Sequence, residues 1–231
     1  MTNLLGPAEW TAIMLSLRVA MVATVVALPL AIWVAHLLAR KRFPGRQLLN
    51  GLVHLPLVLP PVVTGYLLLV LLGQQGPLGG FLNEVFGVSF AFRWTGAALA
   101  AGIMAFPLMV RAIRLGIEAV DPGLEEAAAT LGATRWRVFT TVTLPLVWPG
   151  ILAGAILGFA KALGEFGATI TFVAAIPGQT QTIPSAIYGL LQVPGGGPAV
   201  LGLVIVSVVL AMGALLASEW LARRAARRVA A

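Results

Sequence analysis

The sequence predicts an all-α fold, a polytopic bundle of about five transmembrane helices. First, 59% of the 231 residues are hydrophobic and 10% are charged, whereas soluble domains carry about 25% charged residues. Second, the apolar residues form several stretches of about 20 residues, the length at which a helix crosses a bilayer and satisfies its own backbone hydrogen bonds. Third, most of the 15 Lys and Arg residues lie between those stretches, in segments 40–46, 111–137 and 223–228.

The charge distribution also predicts the orientation. Basic loops remain on the cytoplasmic side of a membrane protein. With the three basic segments inside, the N-terminus lies outside, the C-terminus is cytoplasmic, and Arg93 is the one basic residue of the outer loops. We therefore expect a single membrane domain over residues 1–231, without a cleavable signal or an appended regulatory domain. Its predicted spans are 11–39, 52–73, 95–117, 146–172 and 199–221.

Two of these spans contain residues that disturb a membrane helix. Span one carries Arg18, which we expect to extend toward the outer surface, the alternative being a place in a transport passage. Span two contains Pro56, Pro60 and Pro61, which predict a kink or a break in its first half. A Gly-rich outer loop is expected at 74–93.

The polar segment 118–145 predicts a short cytoplasmic helix–turn–helix. Asp121 followed by proline is typical of a helix N-terminus, and an acidic first turn suits the helix dipole. Gly132 is a suitable left-handed stop. Thr134 should cap a second helix over 135–143, which we expect to end at Leu144-Pro145. On these signals alone the segment could equally be a well-capped connection.

The complete spacing in this segment favours a functional role. Glu126-Ala127-Ala128, three residues, Gly132, nine residues, Val142, one residue and Leu144-Pro145 resemble the motif of ABC-importer permease subunits, with Val in place of Ile. The resemblance implies that the segment contains a coupling helix that docks on a separate ATPase subunit. Glu126, Ala127, Ala128 and Gly132 would form that joint, with Leu144 and Pro145 completing the motif.

Five further stretches resemble the molybdate permeases within that family, and the similarity extends from Trp10 to Arg224. They are 40–45, 54–63, 106–111, 163–172 and 182–188. The resemblance implies a passage for molybdate in the bacterial cytoplasmic membrane, two ATP-binding subunits and an extracytoplasmic molybdate-binding protein. Tungstate and sulfate or thiosulfate remain alternative substrates, because sulfate permeases share part of these patterns.

The number of spans predicts a homodimer. Secondary transporters with inverted repeats need two matched halves, and the sequence shows five spans without an internal repeat. Five helices also make a narrow bundle, so we expect two copies to form the passage between them.

Polar residues inside the membrane are candidates for the passage or its gate. Lys161 and Glu165 are four residues apart, hence on one helical face, and each charge would cost roughly 2.5–3.5 kcal/mol at the centre of a bilayer. They form either an ion pair that locks helix packing or a site that tolerates a divalent anion. The other candidates, which could equally serve packing or kinking, are Pro60, Thr64, Thr169 and Thr171.

Several other functions are disfavoured by what the sequence lacks. It contains no Gly-rich Lys-Ser/Thr phosphate loop, so ATP and Mg²⁺ should be bound by the partner ATPase, and we expect no cofactor, no metal and no enzymatic activity on this chain. His36 and His54 have no partner at metal-ligand spacing and should be packing residues. The net charge of +7 follows topology, so we expect no nucleic acid. The rival hypotheses are an intramembrane enzyme using Lys161 and Glu165, and an ATP-independent channel or carrier.

Overall fold

The computed structural model describes residues 5–229, without the side chains of 218, 219 and 221–229. Every element within that range is helical. The helices are α1 (Pro7–Arg40), α2 (Arg46–Val58), α3 (Pro61–Leu72), α4 (Pro77–Phe86), α5 (Trp94–Glu118), α6 (Pro122–Thr130), α7 (Arg135–Val138), a π-helical turn (Phe139–Thr143), α8 (Leu144–Leu163), α9 (Gly167–Val173), α10 (Ile183–Leu191) and α11 (Gly197–Val229). The basic cluster Arg223–Arg228 lies outside the described side chains.

The helices confirm a multi-pass membrane protein. Within the described residues, four helices are long and apolar enough to cross a bilayer: α1, α5, the continuous helix Arg135–Leu163, and α11 over Gly197–Ala217. The pair α2 and α3 makes a fifth crossing if it is counted as one broken span.

The predicted second span is a sharply bent pair of helices. α2 begins at Arg46, earlier than the predicted residue 52. The Arg46 guanidinium donates hydrogen bonds to the Leu38 carbonyl near the end of α1. It continues through Pro56 and stops at Leu59, where Pro60 and Pro61 follow. The two axes differ by 112°. The break was predicted, but its angle makes this a broken or re-entrant element rather than a kinked span.

α5 lies at the centre of the bundle, where it packs against both α1 and α8. Its buried face is made mainly of Ala and Gly, and small residues let membrane helices approach closely. α8 meets it with a matching row of glycines, Gly150, Gly154 and Gly158. A Cβ at Gly150 would lie 3.1 Å from the Gly116 Cα of α5.

The predicted fourth span ends earlier than residue 172. α8 stops at Leu163, a three-residue break follows, and the short helix α9 packs against α3 and α5. Residues 164–172 were therefore wrongly included in one continuous span. α9 ends at Ala174, an alanine with φ 59° and ψ −173°.

Two short helices flank the spans. The predicted loop 74–93 contains α4, which begins at Pro77 and ends at Gly87, a left-handed residue with φ 65°. α10 is anchored to α1, because the backbone N–H of Ile183 donates to the buried Ser16 hydroxyl at 2.7 Å.

Candidate coupling segment and helix breaks

The segment between α5 and α8 is a short helix capped as its sequence predicts. The Asp121 carboxylate accepts the Gly123 N–H at 2.8 Å, Gly132 has φ 85°, and the Thr134 hydroxyl accepts the Arg137 N–H at 3.4 Å. These local predictions are confirmed.

The end predicted for the second helix is wrong. α7 continues through the π-helical turn into α8, forming one helix over Arg135–Leu163. The Leu144 N–H donates to the Phe139 carbonyl, five residues earlier, so the register shifts just before Pro145. Proline has no N–H to donate within a helix, and here it follows directly after the π-helical turn, where the hydrogen-bond register changes. Leu144 and Pro145 therefore lie inside the continuous helix, at the start of α8, and do not end it.

α6 lies on the outside of the bundle. None of its residues, all of which are described, is buried. Its surroundings expose large apolar side chains: Leu124 is 49% exposed, Leu131 89% and Trp136 74%. Glu126 and Ala127 are exposed as well. An apolar surface next to charged residues is typical of a contact with another protein.

Glu125, which was not among the predicted site residues, ties α6 to two spans. Its Oε1 accepts the Thr143 hydroxyl at 2.8 Å and lies 3.4 Å from Nη2 of Arg40. The same Arg40 nitrogen donates to the Val120 carbonyl at 2.9 Å. A carboxylate of α6 is thus joined to the end of α1 and to the beginning of the α8 helix.

The histidines take up packing positions near these elements. The His36 ring meets Phe139 of the π-helical turn edge-on, with 5.7 Å between ring centroids. His54 Nδ1 lies 2.8 Å from the Asn50 carbonyl oxygen. A cavity of about 570 Å³ lies beside His36, between α1 and α6, and is lined by Arg40, Glu125 and Trp136 among others.

The two helix breaks near the predicted passage residues touch each other. A Cβ on Gly167 would lie 2.7 Å from Pro61 Cβ, and one on Gly65 would lie 2.5 Å from the Ala168 carbonyl oxygen and 2.9 Å from Thr171 Cβ. The break between α8 and α9 is therefore pressed against the start of α3. Thr64 is 7% exposed, and among the residues that the structure describes its hydroxyl has no hydrogen-bond partner.

The charged pair lies at the same break. Lys161 Nζ is 2.6 Å from Glu165 Oε2, and Glu165 Oε1 accepts the Ala168 N–H at 3.0 Å. Thr169 and Thr171 use their hydroxyls on backbone carbonyls of their own helix turn. Lys161 and Glu165 form an ion pair although Glu165 lies in the break and not on α8, and the carboxylate caps the first turn of α9. Whether the pair serves packing or the passage stays open.

The other large cavity is apolar. It measures about 650 Å³, lies between α1, α2 and α5, and is lined by apolar side chains apart from Thr95. A charged oxyanion would lose its hydration there without gaining hydrogen bonds. The polar break beside Lys161, whose side chain is 29% exposed, is the better candidate for contact with an anion.

The family is decided by comparison with known sequences. Residues 27–228 match the family described as binding-protein-dependent transport system inner membrane component. The chain belongs to this family. The family resemblance indicated by the Glu126 motif is thereby confirmed.

Relatives of this inner membrane component include molybdenum permeases. The chain is 60% identical to the molybdenum transport system permease protein ModB of Escherichia coli K12, over 93% of this chain and 94% of the relative. The ModB protein of Haemophilus influenzae is 56% identical over 96% of both chains. The sulfate transport system permease protein CysT of Escherichia coli K12 is 40% identical over 68% of this chain and 57% of the relative.

Solved structures support the same fold for this permease. An ABC transporter for the import of alginate superimposes with a TM-score of 0.76 at 22% identity, covering 95% of this chain and 80% of that one. An inward-facing methionine ABC transporter superimposes with a TM-score of 0.68 at 15% identity, covering 94% of both chains. At these identities the likeness concerns the fold alone.

Sequence reasoning missed three features of the permease. The guanidinium carbon of Arg18 lies 3.8 Å from the centroid of the Trp94 ring, a contact that the sequence did not indicate and that leaves the expected extension toward the outer surface a prediction. The glycine row of α8 was also missed, although its four-residue spacing is visible in the sequence as Gly150, Gly154 and Gly158. The network around Glu125 left no comparable sequence pattern, because Arg40 lies 85 residues away.

Proposed function

We propose that this chain is the permease subunit of an ATP-driven importer that carries molybdate across the bacterial cytoplasmic membrane. The observation that supports molybdate is the 60% identity to a molybdenum permease over nearly the whole of both chains. The sulfate permease is less similar and matches a smaller share of the chain. Tungstate, sulfate and thiosulfate are the alternative substrates.

In this proposal the importer contains two copies of the chain. They form the passage, two ATP-binding subunits bind ATP and Mg²⁺ and hydrolyse ATP, and an extracytoplasmic molybdate-binding protein delivers the anion. The N-terminus lies outside and the C-terminus in the cytoplasm. The basic loops around Arg40 and Arg135 support this orientation. The chain itself is a transport subunit and not an enzyme.

α6 is proposed as the coupling helix. Its supporting features are the exposed Leu131 and Trp136, the exposed Glu126, and the attachment of Glu125 to α1 and α8. Closure of the ATPase pair would move α6 and, through that attachment, turn the passage outward. Release of the hydrolysis products would reverse the motion.

The passage is proposed to run past the two helix breaks. Pro60 and Thr64 belong to one break, and Lys161, Glu165, Thr169 and Thr171 to the other. Of the hydroxyls there, that of Thr64 makes no hydrogen bond within the described residues and could donate to an oxyanion. Those of Thr169 and Thr171 would first have to leave the backbone carbonyls to which they donate.

Uptake competition tests the substrate. The complete assembly in vesicles, with ATP inside and the binding protein outside, should accumulate labelled molybdate. Unlabelled molybdate and tungstate should compete at lower concentration than sulfate. If sulfate competes as well as molybdate, the substrate assignment is wrong; if uptake proceeds without ATP, the importer mechanism is wrong.

Gly132→Asp tests the coupling role. Gly132 has φ 85° and open space around the site of a Cβ, so a side chain there would project from the segment toward a docked partner. We expect uptake per ATP hydrolysed to fall by about tenfold, equivalent to about 1.4 kcal/mol, while the protein still inserts.

The matched control for this test is Gly45→Asp. Gly45 has φ 88°, equally open surroundings and a place on the same proposed side of the membrane. Gly45→Asp introduces the same charge and the same backbone strain away from α6. Its uptake per ATP hydrolysed should therefore change less than that of Gly132→Asp. If the Gly132→Asp variant transports with normal coupling, the proposed docking of α6 on the ATPase subunit is wrong.

A further inference from the structure

The ion pair at the second helix break is asymmetric in its exposure. The Glu165 side chain is 1% exposed, whereas that of Lys161 is 29% exposed. Both Glu165 oxygens are used, one by the Lys161 ammonium and the other by the Ala168 N–H. The Lys161 ammonium is therefore the accessible member of the pair, and the Glu165 carboxylate is its buried counter-ion.

The Glu165 carboxylate has little freedom to move away from Lys161. Gly167, two residues after Glu165, lies very close to Pro61. A Cβ added to Gly167 would be 2.7 Å from the Pro61 Cβ. Gly65 of α3 touches the Ala168 backbone equally closely. The Glu165 backbone carbonyl also accepts a hydrogen bond from the Thr169 hydroxyl. The break is held from both sides, which fixes the position of the Glu165 side chain.

An unpaired ammonium in this environment would attract anions strongly. Coulomb energy grows as the effective dielectric constant falls, so a charge among membrane helices binds a counter-ion better than one in water. A transported dianion must leave as readily as it arrives, and a deep binding site along its route would slow release.

We propose that Glu165 is a resident counter-anion that prevents Lys161 from capturing the transported oxyanion. Glu165 is thus a positioning residue that acts through Lys161, and removing its charge exposes a latent site for a tetrahedral dianion. The inference rests on the proposed function, because it places the oxyanion route beside this break.

Glu165→Gln tests the inference by a binding measurement. The variant keeps the shape of the side chain and removes its charge. In the complete assembly, without the binding protein, it should bind labelled molybdate at least about tenfold more tightly than the wild type, a gain of about 1.4 kcal/mol. The added binding should weaken at high salt, and the rate of uptake should fall.

Two further variants separate this role from a structural one. Lys161→Met combined with Glu165→Gln removes the ammonium too, and should bind molybdate no better than the wild type. Glu165→Asp keeps the charge on a shorter side chain and should give a smaller gain, which provides a second measurement should the Gln variant fail to fold. Thermal unfolding of each variant reports on folding.

A matched control comes from a second ion pair with the same spacing. Arg114 Nε and Glu118 Oε1 are 2.8 Å apart, and their side chains are 28% and 39% exposed. Glu118→Gln also frees a cation, but away from the helix breaks, and should produce no added molybdate binding.

The outcomes distinguish this inference from the proposed function. If the folded Glu165→Gln and Glu165→Asp assemblies bind molybdate, tungstate and sulfate no better than the wild type, and wild-type uptake is normal, the counter-anion role alone is overturned. If the wild-type assembly imports none of the three anions, the proposed function fails, whatever the variants bind.

Discussion

Two adjacent glutamates in α6 have different environments. Glu126 is exposed, whereas Glu125 is half-buried and holds Thr143 and Arg40. A hydrogen bond to a charged group contributes more than a neutral one. Glu125 therefore fixes the orientation of α6 relative to α1 and α8, and leaves Glu126 available for a partner.

Thr143→Val should destabilise the permease. Valine keeps the shape of threonine but removes the donor to Glu125, and losing a hydrogen bond to a charged group costs about 1.5–3 kcal/mol. The 23% exposure of the Glu125 side chain puts the expected loss near the lower value. The measurement is the thermal unfolding midpoint of the permease in lipid nanodiscs.

Thr141→Val is the matched control. The Thr141 hydroxyl donates to the Arg137 carbonyl within its own helix, so its removal should lower the midpoint less. An unfolding midpoint equal for the wild type and Thr143→Val would show that the bond to Glu125 contributes nothing to stability.

The residues that cap helices locally could be predicted from the sequence, and the contacts between residues far apart in the chain could not. Asp121, Gly132 and Thr134 act within a few residues of themselves, so sequence spacing was enough to identify them. Ala174 gives no such signal, because alanine rarely adopts φ 59° with ψ −173°. The Thr180 hydroxyl, which donates to the Val173 and Ala174 carbonyls, helps to hold that conformation, and this contact appears only after folding.

At the scale of elements, α8 is defined by the row of glycines that it presents to α5. Successive residues at four-residue spacing lie on one face of a helix. Gly150 faces Gly116, Gly154 faces Ile113 and the Met109 carbonyl, and Gly158 faces the Met109 side chain. The two helices therefore approach closely along several turns, which makes their contact the rigid centre of the bundle.

Gly154→Ala should weaken that contact. The added Cβ would lie 2.9 Å from Ile113 Cγ1 and 3.1 Å from the Met109 carbonyl oxygen, so α8 or Ile113 must shift. Overpacking of this kind costs about 1–3 kcal/mol. We expect a lower unfolding midpoint in nanodiscs.

Gly213→Ala supplies the comparison, because a Cβ at Gly213 in α11 meets nothing within 4 Å. Alanine is a better helix former than glycine by about 1 kcal/mol, so this variant should be neutral or more stable. A stabilised Gly154→Ala would contradict the close packing of α5 and α8.

The breaks within elements were partly predictable. Pro60 and Pro61 predicted the interruption of span two, since proline lacks the N–H that would continue a helix. The break after Leu163 was missed, because residues 146–172 are apolar enough to suggest one span. Leu144-Pro145 suggested a helix end, but the preceding π-helical turn lets the helix continue. That the two breaks touch depends on tertiary packing of α3 against α9.

At the scale of the whole molecule, hydrophobicity predicted the helical bundle and charge predicted its direction. Both predictions use bulk effects of the bilayer that are independent of side-chain packing. The structure bears out the helical bundle, and the direction stays a prediction. The bundle itself is thin: the membrane-crossing part of α11 is 11% buried, and that of α1 33%. Such exposed apolar helices suit contact with lipid and with the second copy that we propose.

Cysteine labelling tests the proposed orientation. The chain contains no Cys, so a single introduced thiol reports one position. Thr134→Cys lies in the proposed cytoplasmic segment and Asn83→Cys in the proposed outer segment, and both positions are exposed. A membrane-impermeant maleimide added to intact cells should modify Asn83→Cys and should modify Thr134→Cys only after permeabilisation, because the charged reagent cannot cross the bilayer. The control is the unaltered cysteine-free chain, which should remain unlabelled. Labelling of Thr134→Cys in intact cells would place α6 outside, beyond the reach of any cytoplasmic ATPase.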